Sequence, residues 1–295
     1  MNETALDLFL TEQITEIERR LPLHLNSIKA PRVLKDAMNY SLQAGGKRLR
    51  PALLLATLKG YGVSLERGYD TACAVEMIHT YSLIHDDLPP MDNDDMRRGK
   101  PTNHNVFGEA MAILAGDALL TYSFEVISNS RHLTDVDKAM LVLLLSKSAG
   151  PSGMVGGQVA DMEGENRSLS IEELEYIHDH KTGELLSFSI EAGSLIAGAG
   201  KEDQAMLRAF ARDLGLAFQI KDDILDIEGD NEKIGKPLGS DKENEKSTYP
   251  KLLGLAGAKD KLDWHINRAK AYLYKTEKDH FLLHELTDYI AKRTY

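Results

Sequence analysis

Apolar residues recur along most of the chain at intervals of three and four positions, the spacing that lines one face of an α-helix. Near the N-terminus the pattern begins at Leu6 and runs to Ile17, and it reappears between Thr71 and Leu88. The sustained alternation of apolar and polar residues that marks a half-buried strand does not occur in the sequence. The pattern predicts an all-α protein.

Polar residues indicate where two of these helices begin. Ser170 followed by Glu173 has the spacing of a capping box, in which a hydroxyl and a carboxylate satisfy free amides of the first turn. Thr134 and Asp137 repeat that arrangement. We expect the box at Ser170 to open a helix that continues through Glu191.

Domain organisation is predicted from where polar residues accumulate. The chain of 295 residues has no Pro/Ser-rich linker and no repeat of fixed period, so we predict a single helical domain over residues 1–295. The stretch 228–250 is almost wholly polar and contains glycine. A loop of that length in a compact domain is commonly a lid, a binding loop or a disordered segment. We expect a flexible polar lid there.

Composition and charge exclude several classes of protein. Lysine and arginine total 35 and aspartate and glutamate total 46, which gives a net charge of −11 and argues against a nucleic-acid binder. Cys73 is the only cysteine, which excludes an intramolecular disulfide framework. The N-terminus lacks the pattern of a signal peptide, and the longest apolar run, Ala139 to Leu145, is too short to span a bilayer. We expect a cytoplasmic protein without membrane insertion.

Closely spaced aspartates between Asp86 and Asp92, here called the first aspartate motif, cannot occupy one regular helix face. These two residues lie about 240° apart on an ideal helix, and Pro89 and Pro90 between them disfavour helix. We therefore expect a helix that ends near Asp87, followed by a bulge that folds Asp92 back. Carboxylate oxygens favour a hard cation, and Mg²⁺ that keeps waters and bridges to substrate phosphates fits best.

A second aspartate motif lies between Asp222 and Asp226. These two carboxylates are four residues apart and share one helix face with Gln219, where like charges repel by about 0.2–0.5 kcal/mol. Their neighbours are mostly apolar, and partly buried carboxylates need a cation. The pattern indicates a second wall of a divalent-metal site. A solvated helix end is the alternative for either motif.

Basic residues form two short clusters in this acidic chain. The segment Gly45–Pro51 holds three cations within four residues, beside two glycines that allow close backbone approach. It lacks the spacing of a Walker loop. Arg97–Lys100 follows the first aspartate motif and supplies two guanidinium groups suited to phosphate. The patterns indicate two phosphorylated ligands, one gripped through metal and one held directly, with a basic surface patch as the alternative.

These motifs, in this order, resemble those of the trans-prenyltransferases of the isoprenyl diphosphate synthase family, and within it those of the bacterial farnesyl type. Further matching pieces are Gly156-Gly157-Gln158 with Asp161, Lys181-Thr182-Gly183 and Gly235-Lys236. The resemblance implies antiparallel helices around a deep central cavity, usually paired as a homodimer. It also implies an enzyme dependent on Mg²⁺, with Mn²⁺ as the second metal to consider. Such an enzyme condenses isopentenyl diphosphate head to tail with dimethylallyl and geranyl diphosphate to make farnesyl diphosphate.

The resemblance carries roles onto individual residues. Metal ions would be held by Asp86, Asp92 and Asp222, with support from Asp87 and Asp226. The allylic diphosphate would meet Arg97, Lys181, Thr182, Gln219 and Lys236. Isopentenyl diphosphate, bound without metal, would meet Lys47, Arg50, His79 and Arg98. The catalytic residues would be Lys181, Thr182 and Gln219, whose oxygen dipoles stabilise the allylic cation.

Product length in this family depends on side chains about one turn before the first aspartate motif. Those positions are Tyr81 and Ser82, and one bulky ring beside a small neighbour is typical of the farnesyl type. A geranylgeranyl diphosphate synthase, the alternative within the family, more often has small residues at both. On an ideal helix Ser82 lies nearly under Asp86 and Tyr81 about 140° away, so an ordinary core role for Tyr81 stays open.

A helical di-iron carboxylate protein is the alternative from another class. Its Glu-x-x-His spacing occurs three times, at Glu76 and His79, Glu175 and His178, and Glu277 and His280. The third pair lies in a polar stretch, which shows how readily the spacing arises, and this alternative leaves the aspartates and arginines without a role. A terpene cyclase needs no separate basic site, and a non-catalytic partner subunit would be expected to lose aspartates. His79 as a hydrogen-bonded core residue also stays open.

Overall fold

The computed structural model describes residues 4–165, 167–228 and 247–293, and within these ranges the chain is almost entirely helical, as predicted. The α-helices are α1 Ala5–Ser27, α2 Arg32–Leu42, α3 Leu49–Gly60, α4 Tyr69–Asp86, α5 Asn103–Phe107, α6 Glu109–Ser128, α7 Asp135–Ala149, α8 Met154–Gly164, α9 Ile171–His178, α10 Glu184–Ala197, α11 Lys201–Glu228, α12 Tyr249–Leu273 and α13 Phe281–Lys292. The shorter elements are a 3₁₀ turn at Leu65–Arg67, strands β1 Met96–Arg97 and β2 Lys100–Pro101, and a π-helical turn at Asp179–Gly183, here called the π segment.

The described chain divides into two compact units. The first consists of Met1–Leu55 and Ser64–Val142, and the second of Ala56–Val63 and Leu143–Tyr295. Packing of α4 against α6 is the largest helix contact of the first unit, and packing of α11 against α12 is the largest of the second. The first unit holds the first aspartate motif and both basic clusters. The second unit holds the second aspartate motif and the π segment.

Helix α4 lies at the centre of the first unit because it is apolar on almost every side. Six of its apolar residues have no exposed surface: Ala72, Cys73, Ala74, Val75, Met77 and Ile78. A helix that is hydrophobic all round is buried all round. Burial also raises the pKa of the Cys73 thiol, so this cysteine is a core residue without thiolate reactivity at neutral pH.

The core of the second unit forms where α11 meets α12. Its members are Leu174, Ala217, Ile220, Ile224, Tyr249, Ala258, Leu262 and Ile266. The three α11 members recur at intervals of three and four residues, which is the spacing of one helix face. That face is buried, while Asp222 and Asp226 on the same helix are only partly buried.

Both predicted capping boxes are present. The Ser170 hydroxyl accepts the Glu173 amide, and the Glu173 carboxylate accepts the Ser170 amide. Thr134 and Asp137 make the same reciprocal pair. The helix that opens after Ser170 continues through Glu191, as expected, and ends at Ala197; the π segment that joins α9 to α10 within it was not predicted.

A two-residue hairpin follows the first aspartate motif and was not predicted. Met96 pairs with Pro101 and Arg97 with Lys100. The turn residues between the strands, Arg98 and Gly99, have φ of 52° and 73°, the left-handed conformation of a type I′ turn. Two-residue strands are too short to show alternation, so the sequence pattern could not reveal them.

Two helical stretches have the length and hydropathy of a membrane span, judged by composition alone: Glu109–Ser128 and Asp135–Gly164. In the most apolar 18-residue window of each stretch, 39% and 33% of the residues are buried. The predicted polar lid falls mainly on residues 229–246, which lie outside the described residues, as does Lys236.

Candidate active site

The first aspartate motif has the folded-back shape that its prolines predict. Helix α4 ends at Asp86, and Asp87 occupies its C-cap. The Asp92 amide then donates to the Asp86 carbonyl at 2.8 Å. This bond carries Asp92 back to the end of the helix, so that two carboxylates lie at one helix C-terminus, where a cation also complements the helix dipole.

Asp87, which lies between Asp86 and Asp92 in the sequence, is more buried than either of them. It is only 3% exposed and accepts a hydrogen bond from Arg97 Nε at 2.6 Å. A second Arg97 nitrogen donates to Asp94 at 3.1 Å. Asp87 and Asp94 therefore hold the guanidinium that we predicted for the allylic diphosphate, and in this arrangement Asp87 braces Arg97.

The residue before the motif locks α4 against α6. His85 Nε2 lies 3.0 Å from the Ile113 carbonyl oxygen. A Cβ added to Gly116 would come within 2.1 Å of His85 Nε2, so only glycine admits the ring there. Tyr81 packs edge-on against the same ring, with centroids 5.7 Å apart. The position of the first aspartate motif thus depends on a close contact between two helices.

The two positions predicted to set product length differ in their surroundings. Tyr81 is buried, and burial raises the pKa of its phenol to about 12. Ser82 is partly buried and donates to the His79 carbonyl one turn earlier. A buried ring and a small hydroxyl therefore occupy successive positions of α4, about one turn before Asp86.

Arg48, the middle cation of the first basic cluster, points into the protein. It is 3% exposed, its φ is 47°, and Nη1 donates to the Glu76 carboxylate at 2.6 Å. Its other terminal nitrogen donates to the Leu42 carbonyl. Arg48 therefore anchors the loop, while Lys47 is exposed and Arg50 partly buried on either side.

The hairpin and the first basic cluster touch through Arg98. Its guanidinium donates to the Gly45 carbonyl, and a Cβ on Gly46 would lie 2.6 Å from the guanidinium carbon. Gly46 has φ of 128°, so its backbone conformation also favours glycine. Gly46 is thus required for the approach of Arg98 to the loop.

Positive charge from both basic clusters converges on His79. Desolvation, followed by the charges of Arg50, Arg98, Arg48 and Arg97, holds the pKa of His79 well below its ordinary value of 6.5. The imidazole is therefore neutral at physiological pH and sits in a positive field. Three of the four residues predicted to bind isopentenyl diphosphate, His79, Arg50 and Arg98, are in this way electrostatically linked within one unit.

The π segment carries Lys181 and Thr182 in the second unit. Lys181 Nζ is 2.6 Å from the Asp161 carboxylate on α8. A Cβ on Gly157 would approach the Lys181 amide nitrogen to 2.2 Å, so glycine allows α8 to lie directly against this turn. Single π turns inside helices occur frequently at functional sites because they disturb the regular carbonyl pairing. Asp161 gains a role here that its motif alone did not assign.

The second aspartate motif lies on α11, as predicted, with Asp222 and Asp226 partly buried and Asp223 buried between them. Arg293, just after the last helix, donates to Asp222 at 2.6 Å and to the Phe218 carbonyl at 2.9 Å. No sequence motif marked Arg293. Arg293 and Asp222 are 71 residues apart in the chain, so no local sequence pattern could predict their contact.

The donor set fits Mg²⁺ better than a protein-caged metal. In the ranges that the structure describes, no three His, Cys, Asp or Glu side chains form a metal cage. Mg²⁺ typically takes one or two carboxylates and completes its shell with water and substrate phosphate, which suits accessible aspartates. The di-iron alternative loses its ligands, because Glu76 pairs with Arg48, and Glu175 pairs with Lys261 at 2.8 Å.

An all-α chain with a cationic cluster and two aspartate motifs, one at the C-terminal end of α4 and one on α11, defines the helical class of enzymes that act on diphosphate esters. The family model described as polyprenyl synthetase matches residues 31–280. The chain belongs to the polyprenyl synthetase family.

Individual relatives extend over the whole chain. A farnesyl diphosphate synthase of Geobacillus stearothermophilus is 54% identical, with 100% of both chains covered. A farnesyl diphosphate synthase of Bacillus subtilis strain 168 is 55% identical, covering 97% of this chain and 98% of the relative. The crystal structure of an FPP/GFPP synthase from Zymomonas mobilis, in the apo state, superposes with a TM-score of 0.86 at 36% identity, covering 97% of this chain and 98% of that one.

Proposed function

We propose that this protein is a farnesyl diphosphate synthase. It condenses isopentenyl diphosphate first with dimethylallyl diphosphate and then with geranyl diphosphate. Full-length identity of 54–55% to farnesyl diphosphate synthases supports the activity. The observation that carries the proposal is the cationic cluster that forms where Arg98 contacts the loop at Gly45 and Gly46, in a chain of net charge −11.

That cationic cluster is the proposed site for isopentenyl diphosphate. Arg50, Arg98 and Lys47 supply positive charge, and His79, kept neutral, supplies a ring nitrogen for a hydrogen bond. A diphosphate that binds among these cations lowers their mutual repulsion. No metal is needed at this site, because the protein's own cations match the ligand's charge.

The allylic diphosphate is proposed to bind at the aspartate motifs. Asp86, Asp92 and Asp222 would hold Mg²⁺, with Asp226 in support, and Arg97 and Lys181 would reach the same diphosphate. When bound, the metal ions supply charge that stabilises the departing pyrophosphate. Asp87 and Asp161 orient these two cationic side chains through ion pairs of 2.6 Å.

The reaction then proceeds without a protein nucleophile. The carbon–oxygen bond of the allylic substrate breaks, and both electrons leave with pyrophosphate. The double bond of isopentenyl diphosphate attacks the allylic carbon, and a proton is lost to the pyrophosphate. Lys181, Thr182 and Gln219 would stabilise the cation through oxygen dipoles, in a site where fixed dipoles need no reorganisation.

Product length is proposed to depend on Tyr81 and Ser82. Tyr81 is buried one turn before Asp86, where a ring would stop a growing chain. Farnesyl diphosphate is therefore the expected end product.

A homodimer in the cytoplasm completes the proposal. Apolar residues of the first unit stand exposed on α6 and α7, namely Ile113, Leu114, Val136 and Met140, with Val136 73% exposed. A second copy of the chain would cover this apolar surface. The single, buried cysteine suits a reducing compartment.

Product analysis tests the proposal. Purified enzyme is given labelled isopentenyl diphosphate, dimethylallyl diphosphate and Mg²⁺, and the products are dephosphorylated and separated by chain length. We expect a fifteen-carbon product, and no turnover when Mg²⁺ is chelated. A twenty-carbon end product would instead assign a geranylgeranyl diphosphate synthase, and the absence of prenyl transfer would overturn the proposal altogether.

A further inference from the structure

His178, the last residue of α9, lies beside Gln219 and Asp223 of α11. Its Nδ1 lies 3.4 Å from the amide nitrogen of Gln219, and its Nε2 lies 3.8 Å from Asp223 Oδ2. Gln219 and Asp223 are four residues apart, so one turn of α11 presents both to the same ring. Only 12% of the His178 side chain is exposed. The imidazole thus lies between a predicted catalytic amide, which Nδ1 approaches within hydrogen-bond distance, and a buried carboxylate that faces Nε2 without a hydrogen bond to it.

The carboxylate of Asp223 and the ring of His178 both contact Tyr249, the first residue of α12. The Tyr249 backbone amide donates to Asp223 Oδ2 at 2.8 Å. The Tyr249 ring also stacks on the His178 ring, with centroids 5.7 Å apart and an angle of 14° between the planes. Tyr249 is fully buried. The imidazole therefore has little freedom to rotate or to exchange its partners.

Hydrogen-bond chemistry then selects one orientation of the Gln219 amide. An amide nitrogen only donates, so the Nδ1 that faces it must accept, and the imidazole proton lies on Nε2, towards Asp223. In a neutral ring, the reversed amide would turn its oxygen to His178 and require the proton on Nδ1. The Nε2 lone pair would then face a buried carboxylate, which is unfavourable. The ring thus keeps the Gln219 nitrogen on its own side and directs the amide oxygen away.

We propose that His178 is a positioning residue that presents the Gln219 carbonyl oxygen to the allylic cation. The proposal rests on the proposed function, in which that dipole stabilises positive charge as the carbon–oxygen bond breaks and pyrophosphate leaves with the electron pair. If the amide were reversed, its NH₂ group, the positive end of the amide dipole, would face the allylic cation and destabilise it. His178 acts through Gln219 and does not touch the reacting atoms.

Three variants separate this role from packing. In His178→Asn the side-chain oxygen can take the place of Nδ1 and still accept from Gln219. In His178→Gln the longer side chain can reach Asp223, but it offers no acceptor at the Nδ1 position. His178→Leu retains bulk and removes both contacts. The asparagine and glutamine variants form the matched pair, because both remain polar and both can satisfy one neighbour.

The measurement is steady-state kinetics with geranyl and isopentenyl diphosphate, after a melting curve has shown that each variant is folded. We expect kcat to fall about 100-fold in the glutamine and leucine variants, the scale of losing one preorganised dipole, with both KM values within about twofold of wild type. The asparagine variant should keep kcat within about fivefold. Adding Gln219→Leu to His178→Gln should cause little further loss, since both changes remove the same interaction.

Equal impairment of the asparagine and glutamine variants, or KM changes at constant kcat, would overturn the positioning role. Nitrogen-15 NMR of histidine-labelled enzyme gives a second readout that does not depend on turnover. We expect the His178 signal, assigned by its loss in His178→Asn, to show the proton on Nε2, and a proton on Nδ1 would contradict the inference. If wild-type enzyme transfers no prenyl group, the proposed function fails. If it transfers prenyl groups but the variants show no such split, only the inference fails.

Discussion

The guanidinium of Arg48 lies against the carboxylate of Glu76 at 2.6 Å, and both side chains are almost completely buried. Arg48 belongs to a run of cations that the sequence predicts to bind an anion. Its side chain instead points into the protein and anchors the loop of the first basic cluster. Its left-handed backbone conformation, with φ of 47°, is held in place by this pair. The ion pair therefore determines how Lys47 and Arg50 face a ligand.

Breaking this pair should destabilise the protein and weaken isopentenyl diphosphate binding. Arg48→Met leaves a buried, unpaired carboxylate, which typically costs about 3–5 kcal/mol. Arg48→Met combined with Glu76→Leu removes both charges and should recover most of that loss. Urea unfolding of the single and double variants measures the energies. A double variant as unstable as the sum of its parents would show that the two residues act independently.

The contact between Gly116 and His85 gives a second prediction. In Gly116→Ala the new methyl group would lie 2.1 Å from His85 Nε2, so the ring must move and its bond to the Ile113 carbonyl is lost. Overpacking of this kind costs about 1–3 kcal/mol. The end of α4 shifts with the ring, so kcat/KM should fall by at least about tenfold.

Gly200→Ala is the matched control for this substitution, because its added methyl group meets open space. We expect it to retain the melting temperature and the activity of the unmodified enzyme. Equal behaviour of the two alanine variants would mean that the glycine on α6 does not position the first aspartate motif.

A structural feature could be predicted from the sequence where the interactions that form it are between residues close together in the chain. The fold-back of Asp92 was predictable because two adjacent prolines act locally, and the shared face of Asp222 and Asp226 follows from helix geometry alone. The π segment was missed because a capping box followed by apolar periodicity favours an uninterrupted helix. Its position depends on the backbone contact between Gly157 and Lys181, which no local pattern reveals.

In the candidate site, too, residue types could be predicted from the sequence, whereas contacts between distant residues could not. The residue types at both basic clusters predicted an anion site, but sequence could not distinguish Arg48, which is buried, from Arg50, which is not. Burial of Arg48 depends on Glu76, 28 residues away. Likewise Asp87 is one more carboxylate in the sequence, and only its 2.6 Å contact with Arg97 shows it bracing a cation.

Protonation of His79 should be linked to ligand binding. Burial and neighbouring cations lower its pKa below 6.5, and the negative charge of a bound diphosphate should raise it again. In slightly acid solution we therefore expect diphosphate binding to be coupled to proton uptake by this ring. Calorimetry of isopentenyl diphosphate binding in buffers of different ionisation enthalpy measures this uptake. It should vanish in His79→Asn, and uptake that persists in that variant would assign the proton to another group.

The same lowered pKa affects stability. Above about pH 6.5 the ring is neutral in both the folded and the unfolded chain, and it contributes no pH dependence. As the pH falls below that value, the unfolded chain binds a proton at this residue before the folded chain does, so the free energy of unfolding decreases. Urea unfolding between pH 7 and pH 5 should show a shallower decrease for His79→Asn than for wild type. An identical slope would contradict a lowered pKa.

Tyr81→Ala should lengthen the product. Removal of a buried ring one turn before Asp86 opens space below the allylic substrate, so chains beyond fifteen carbons become products. Ser82→Ala changes little volume and serves as the control. Chromatography of the dephosphorylated products measures the distribution, and an unchanged distribution in Tyr81→Ala would assign the ring to the core alone.

The central claim is that the two aspartate motifs together hold Mg²⁺ and one diphosphate, while the arginine cluster holds the other without metal. Calorimetry with an unreactive thiolo analogue of dimethylallyl diphosphate tests it most directly. We expect binding only with Mg²⁺, weakened about 100-fold by either Asp86→Asn or Asp222→Asn, while isopentenyl diphosphate binds equally with and without Mg²⁺. Metal-independent binding of the analogue, or loss in only one of the two variants, would contradict the account.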